Sequence, residues 1–250
     1  MVRTTFDWLT SRPIAHRGLH AAARGVYENP PGAARAAIAA GYGIEVDVQI
    51  SADGEAMVHH DAVLGRLTEG DERLDRLSAA VLKRVNFRAS DEHMMTLGEL
   101  CDLVGGRTPM LVEMKSRFDG DGRLPARAAA VLAGYGGPAA PMSFDPMQLA
   151  LLRQKAPVLP LGIVAAKYRP HPYWDQMPAW LRYGMGSLLP ALTARPHFVA
   201  YAIDNLPALA PFLARHGLCL PLVTWVVRTE AERRRAARWA DQMIFEGFRP

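Results

Sequence analysis

The chain has 250 residues, half of them apolar, which is enough for one large core, and 29 basic against 25 acidic side chains leave a net charge of +4. No apolar run approaches the roughly 18 residues of a membrane span, and the opening MVRTTFDWLTSRP has no secretory hydrophobic stretch, so a cytoplasmic protein without stable membrane insertion is expected. Two distant cysteines in apolar surroundings, Cys101 and Cys219, argue against a disulfide scaffold or a thiolate metal site.

In chain order, eight short apolar or β-branched runs read as strands: PIAHRG, YGIEVDVQI, PMLVEMKS, APMSF, PLGIV, HFVAYAI, LPLVTWVV and DQMIFE. Ala- and Leu-rich helical stretches separate them, the pattern of a parallel sheet with crossovers. Helix starts are marked at ENPP, with Asn29 as cap and Pro30 as first helical residue, and at SFDP, with Asp145 and Pro146. TLGE and TEAE fit capping boxes, with Thr96 and Thr229 as caps and Glu99 and Glu232 reaching back.

After the second strand, ADGE supplies an Asp-Gly turn and AMVHH returns antiparallel. Residues 62–95 are more charged and read as a small insertion; residues 166–196, rich in Pro, Tyr and Trp, read as a long connection with one irregular helix. The dense basic run RTEAERRRAARWADQ intersperses Glu230 and Glu232 at helical spacing, as a solvated helix face does. No aromatic platform accompanies it, so no nucleic-acid partner is expected. The fold class is therefore α/β, a (β/α)8 TIM barrel over 1–250 as a single domain with a small insertion after the second-strand hairpin. A doubly wound sheet is the runner-up, but HRGLHAAARG is not a phosphate-cradling turn.

Glu45 and Asp47 interrupt an apolar strand two residues apart, so they share a face; Glu113 and Lys115 repeat the pattern in LVEMKS. A buried, isolated carboxylate costs several kcal/mol, so such groups must be paired or bound to a cation. The bland alternative pairs Glu45 with Lys115 and Glu113 with an arginine. Three carboxylates against one lysine leave negative charge over, which a hard divalent cation, Mg2+ or Ca2+, would neutralise. His16 and one of His59 and His60 fall at strand ends, where two imidazoles can act as base and acid in turn. Arg17 offers a fork to phosphate. No role is assigned to His20, His93, His171, His197 or His216.

These residues carry a resemblance. HRG, YENPPGAARAAIAAGYGIEVDVQISADGEAMVHHD, LGRLT, TLGEL, VEMKS, SFDP and TWVV resemble, in order and spacing, the glycerophosphodiester phosphodiesterase family. The resemblance implies a TIM-barrel hydrolase that cleaves small-molecule glycerophosphodiesters to glycerol 3-phosphate and an alcohol. It implies His16 and His60 as the acid/base pair, Glu45, Asp47 and Glu113 as ligands of one divalent cation, and Arg17 and Lys115 on the phosphate. Glu28 would support the site, and Phe144 and Trp225 would form an aromatic wall. Two departures stand out: Tyr27 where the family often has proline, and Glu246 in IFEGFRP near the place of a Thr-Asp pair. Competing readings are a phospholipase D-like lyase that stops at a cyclic phosphate, and a phosphate- or headgroup-binding barrel without turnover.

Overall fold

The structure, a computed structural model, describes residues 6–20, 27–88, 90–170 and 172–250. The elements in order are β1 (Ile14–Ala15), α1 (Pro31–Ala39), β2 (Gly43–Ile50), β3 (Ala56–Val58), α2 (Ala79–Leu82) and α3 (Leu97–Val104). They continue with β4 (Met110–Met114), α4 (Arg123–Ala133), β5 (Ala139–Ser143), α5 (Pro146–Lys155), β6 (Gly162–Ala165), α6 (Pro172–Asp175), α7 (Ala179–Gly184) and α8 (Ala191–Ala194). The last elements are β7 (Phe198–Ala202), α9 (Leu209–His216), β8 (Leu222–Val227), α10 (Glu230–Trp239) and β9 (Gln242–Phe245).

All eight expected strands form, and they close. β1 pairs in parallel with β2 on one side and β9 on the other, so the parallel ring is complete and the fold is a (β/α)8 barrel. β3 stands outside the ring as the return of the expected hairpin, with Val48 opposite Val58 and Ile50 opposite Ala56. Strands covered by helices on one face and by barrel interior on the other are buried throughout, which is why they read as near-continuous apolar runs.

Helix starts follow the sequence at three of the four expected places. Thr96 and Thr229 form complete capping boxes with Glu99 and Glu232, and Asp145 accepts from the Met147 backbone N–H ahead of Pro146. Asn29 does not cap α1. Pro30 is the cap and Pro31 the first helical residue, because Asn29 sits at φ +69° with its side chain turned to Asp47 instead. The connection at 166–196 holds three short helices and a 3-10 turn, not one irregular helix. Pro172 opens α6, and Pro178 and Pro190 stand just before α7 and α8, so proline punctuates the segment into single turns.

The segment after β3 has a small core of its own: Met57, Leu64, Leu74, Leu82, Phe87 and Met94. Asp75 accepts from Nε and Nη2 of Arg73 in the same segment at 2.8–2.9 Å and fastens the segment to the barrel by pairing with Arg117 from the β4–α4 connection.

Candidate active site

The parallel register sets the geometry. Asp47 on β2 is the direct partner of Glu113 on β4, while Glu45 faces Leu111, one layer deeper in the barrel. All three carboxylates are buried, and one oxygen from each lies within 4.8 Å of the others. The ion pairs differ from the simple alternative drawn from sequence. Lys115 Nζ lies 2.7 Å from Asp47 Oδ1 and 2.5 Å from Glu113 Oε1, and Glu45 Oε2 takes the backbone N–H of Arg17 at 3.0 Å.

That allocation explains opposite electrostatics on one strand. Burial together with the charges of Asp47 and Glu113 pushes the Glu45 carboxyl well above its usual range. Burial acts on Asp47 in the same direction, but Lys115 and Arg17 outweigh it and hold that carboxyl well below the usual range. A site that leaves one of three clustered carboxylates poorly compensated suits an added dication with oxygen ligands, so the residues fit Mg2+ or Ca2+.

The loop after β1 is wound tightly to reach these groups. Arg17 and Gly18 both adopt positive φ, and a Cβ on Gly18 would meet Ala33 at 2.8 Å, so only glycine lets the turn pack on α1. Arg17 Nη1 donates to Glu28 Oε1 at 2.6 Å, and its buried Nε lies 3.1 Å from Asp47 Oδ2 without an aligned acceptor. Glu28 also receives Arg66 Nη2 at 2.5 Å, and Arg66 Nε donates to Asp61 Oδ2 at 2.6 Å. Burial raises the Glu28 carboxyl, but the bonds and charges of Arg66 and Arg17 outweigh it and leave the group below its usual range.

Each of the two histidines singled out by the resemblance has its Nδ1 against a carboxylate. His16 Nδ1 is 2.6 Å from Glu246 Oε2, and His60 Nδ1 is 2.7 Å from Asp61 Oδ1. A carboxylate can only accept, so each Nδ1 carries a proton and Nε2 is the ring atom left for proton transfer. His16 Nε2 lies 4.0 Å from Glu45 Oε2. Burial lowers the His16 pKa against the bond to Glu246, whose own carboxyl is held down to about 2, first by that bond. His59 is the other kind of residue: its ring is buried near Phe87, and burial brings its pKa to about 4.

Phe144, at the end of β5, meets Trp225 edge-on at 5.6 Å and Trp174 at 5.9 Å, and Trp225 Nε1 donates to the Ala200 carbonyl at 3.0 Å. Sequence reading did not single out Trp174 or Arg66, and it took Asn29 for a helix cap. The only signal for the first was the aromatic richness of its segment. His20, assigned no role, comes within the same cluster as His16 and Glu246, and its Nε2 is buried without a hydrogen-bond partner. His197 accepts from the Leu161 N–H at 2.9 Å, a structural role, and His171 lies outside the described residues.

A family model described as "Glycerophosphoryl diester phosphodiesterase family" matches residues 16–248. The chain belongs to that family. A curated glycerophosphodiester phosphodiesterase from Caldanaerobacter subterraneus subsp. tengcongensis is 33% identical over 113 residues, a match spanning 41% of this chain and 44% of that protein. The chain thus matches under half the length of this relative. Among glycerophosphoryl diester phosphodiesterase-like folds, a Silicibacter pomeroyi DSS-3 structure superposes with TM-score 0.75 at 24% identity, covering 94% of this chain and 89% of that one. The Oleispira antarctica phosphodiesterase in complex with the product sn-glycerol-3-phosphate superposes with TM-score 0.74 at 17% identity, covering 95% and 94%. At these identities the structural likeness speaks for the fold.

Proposed function

We propose that the protein is a divalent-cation-dependent hydrolase, one barrel domain over residues 1–250, that cleaves glycerophosphodiesters to glycerol 3-phosphate and an alcohol. The observation that carries this reading is the pairing of His16 with Glu246 and of His60 with Asp61 beside the three clustered carboxylates. A site that only binds phosphate has no need of two imidazoles with oriented Nε2 atoms. The Oleispira antarctica neighbour, which holds sn-glycerol-3-phosphate, supports the choice of substrate class.

Glu45, Asp47 and Glu113 would hold the cation, Mg2+ or Ca2+, which when bound supplies positive charge for phosphoryl oxygens. Arg17 and Lys115 would hold the phosphate; both are locked at the rim by carboxylates before an anion arrives, and a guanidinium has donors to spare. Burial keeps His16 toward its neutral form, which suits it to take the proton from the attacking oxygen at Nε2. The attacking oxygen, from water or the glycerol 2-hydroxyl, bonds to phosphorus. The bond from phosphorus to the leaving oxygen breaks, and a protonated His60 gives its Nε2 proton to that oxygen; where the 2-hydroxyl attacked, water then opens the resulting cyclic phosphate to glycerol 3-phosphate. Glu28 orders Arg17 and Arg66 around the site, and Phe144 and Trp225 would wall the glycerol or the leaving alcohol.

The test is release of glycerol 3-phosphate from glycerophosphocholine with Mg2+, with Ca2+ and with EDTA. Turnover that EDTA abolishes and one ion restores is expected. No turnover of any glycerophosphodiester with either ion overturns the reading. A stable cyclic phosphate in 31P NMR of the products identifies a lyase instead.

A further inference from the structure

We infer that one flank of the barrel, formed by α9 and α10 with the short helices beside them, is a docking surface for an anionic lipid bilayer. The inference is independent of what the site turns over.

The first observation is a helix with its apolar side outward. α9 packs on the barrel through Pro211 and Ala214, and its outward positions are Leu209, Phe212 and Leu213, exposed by 73%, 45% and 52%. Leu218, just past the helix, is 72% exposed. A barrel helix ordinarily turns polar side chains to water, as α10 does with Ala236 inward and Arg233, Arg234 and Arg235 outward. The feature is not confined to one helix. Of the twelve large hydrophobic residues that are exposed among the described residues, ten lie between Met147 and Leu218. The 3-10 turn between α7 and α8 packs on α9, and α7 ahead of it carries the exposed Trp180 and Tyr183.

The second observation is charge. Residues 146–240 carry twelve basic and four acidic side chains, a net +8, while the rest of the chain carries seventeen basic and twenty-one acidic, a net −4. Part of that positive charge is next to the apolar stripe: α10 carries Arg233, Arg234, Arg235 and Arg238 against Glu230 and Glu232, α9 and α10 both pack on β8, and Arg215 in the last turn of α9 bonds Asp241, just past α10, at 2.9 Å. Apolar side chains flanked by an arginine-rich helix are the chemistry of an interfacial, not a spanning, contact with anionic lipid. No helix among the described residues is long and apolar enough to cross a membrane, so the contact lies on the bilayer surface. Charge also decides against a second copy of the chain as occupant, because the same positive flank on both partners would repel.

Sedimentation with vesicles of phosphatidylcholine alone, and of phosphatidylcholine with phosphatidylglycerol, tests the inference on the full chain. Binding to the anionic vesicles should exceed binding to the neutral ones by about 10-fold or more and weaken with added salt. Arg233→Gln/Arg234→Gln/Arg235→Gln should lower the affinity by about 10-fold or more, and Leu209→Ser/Leu213→Ser should lower it without changing the salt dependence. Turnover of soluble glycerophosphocholine should be unchanged in both variants, which shows that they fold and separates this result from any failure of the catalytic reading. Equal affinity for the two vesicle types, or none for either, overturns the inference. So does a dimer in sedimentation velocity that Leu209→Ser/Leu213→Ser dissociates, because the face then belongs to another copy of the chain.

Discussion

The side-chain amide of Asn29 donates to Oδ2 of Asp47 at 3.1 Å, and the backbone N–H of Asp47 donates back to Asn29 Oδ1 at 3.3 Å. Both residues are buried, and Asn29 accepts a left-handed backbone to make the exchange. Asn29→Ala should destabilise the fold by about 1–3 kcal/mol, the usual cost of stranding a buried polar partner. Asn29→Gly keeps the backbone conformation and loses only the amide. Urea unfolding of both variants separates the two effects: if Asn29→Gly is as stable as the wild type, the amide contributes nothing to holding Asp47.

If Glu246 orients His16, removing its charge alters the chemistry more than the binding. Glu246→Gln should lower kcat by about 10-fold or more with KM little changed, and His16→Ala and His60→Ala should each lower kcat by about 100-fold or more. Glu246→Asp should recover part of the loss. Steady-state rates on glycerophosphocholine decide this, and a Glu246→Gln enzyme with unaltered kcat removes the orienting role.

Glu45 carries the least compensated charge of the three clustered carboxylates, because burial and its two acidic neighbours all oppose ionisation. In EDTA, Glu45→Gln should therefore leave the melting temperature unchanged or raise it. The same variant should lose the stabilisation that Mg2+ or Ca2+ gives the wild type through binding to the folded state. Thermal melts with and without each ion check both halves, and an undiminished ion-induced shift would remove Glu45 from the ligand set.

His59 titrates far below its ordinary 6.5, at about 4, because its ring is buried. The unfolded chain therefore binds this proton first. The stability contributed by the neutral ring is complete above about pH 6.5 and is lost as pH falls toward 4, on the order of 3 kcal/mol in all. Glu246 contributes a separate loss at lower pH, between its ordinary 4.5 and about 2. His59→Gln should flatten the upper limb of the pH–stability curve and leave the lower one. Denaturant midpoints across pH 7 to 3 would show it, and an unchanged upper limb would assign that limb elsewhere.

The sequence made the barrel readable because each strand is a short apolar run and each capping box is a local pattern. Glu45 and Asp47 were equally visible, since two carboxylates in strand phase conflict with burial unless something answers them. What escaped was set by distance along the chain. Asn29 looked like a helix cap because its neighbours suited one, and only the folded β2 offered it a stronger partner. Arg66 lies 38 residues from Glu28, and nothing local announces the bond between them. The role of Glu246 was hidden for the same reason, although its departure from the family pattern was plain. Prolines hid the number of turns in the 166–196 connection, because each punctuates a helix too short to show a period.

Since β1 and β9 are neighbours, His16 and Glu246, 230 residues apart, come together only when the ring shuts. A chain with most of its helices and strands in place but an open seam would hold His16 without the carboxylate that orients it. Contacts between the two ends of a sequence carry the largest loop-closure cost. Recovery of ellipticity during refolding should then run ahead of recovery of turnover, and the interval between them would time the shutting of the seam.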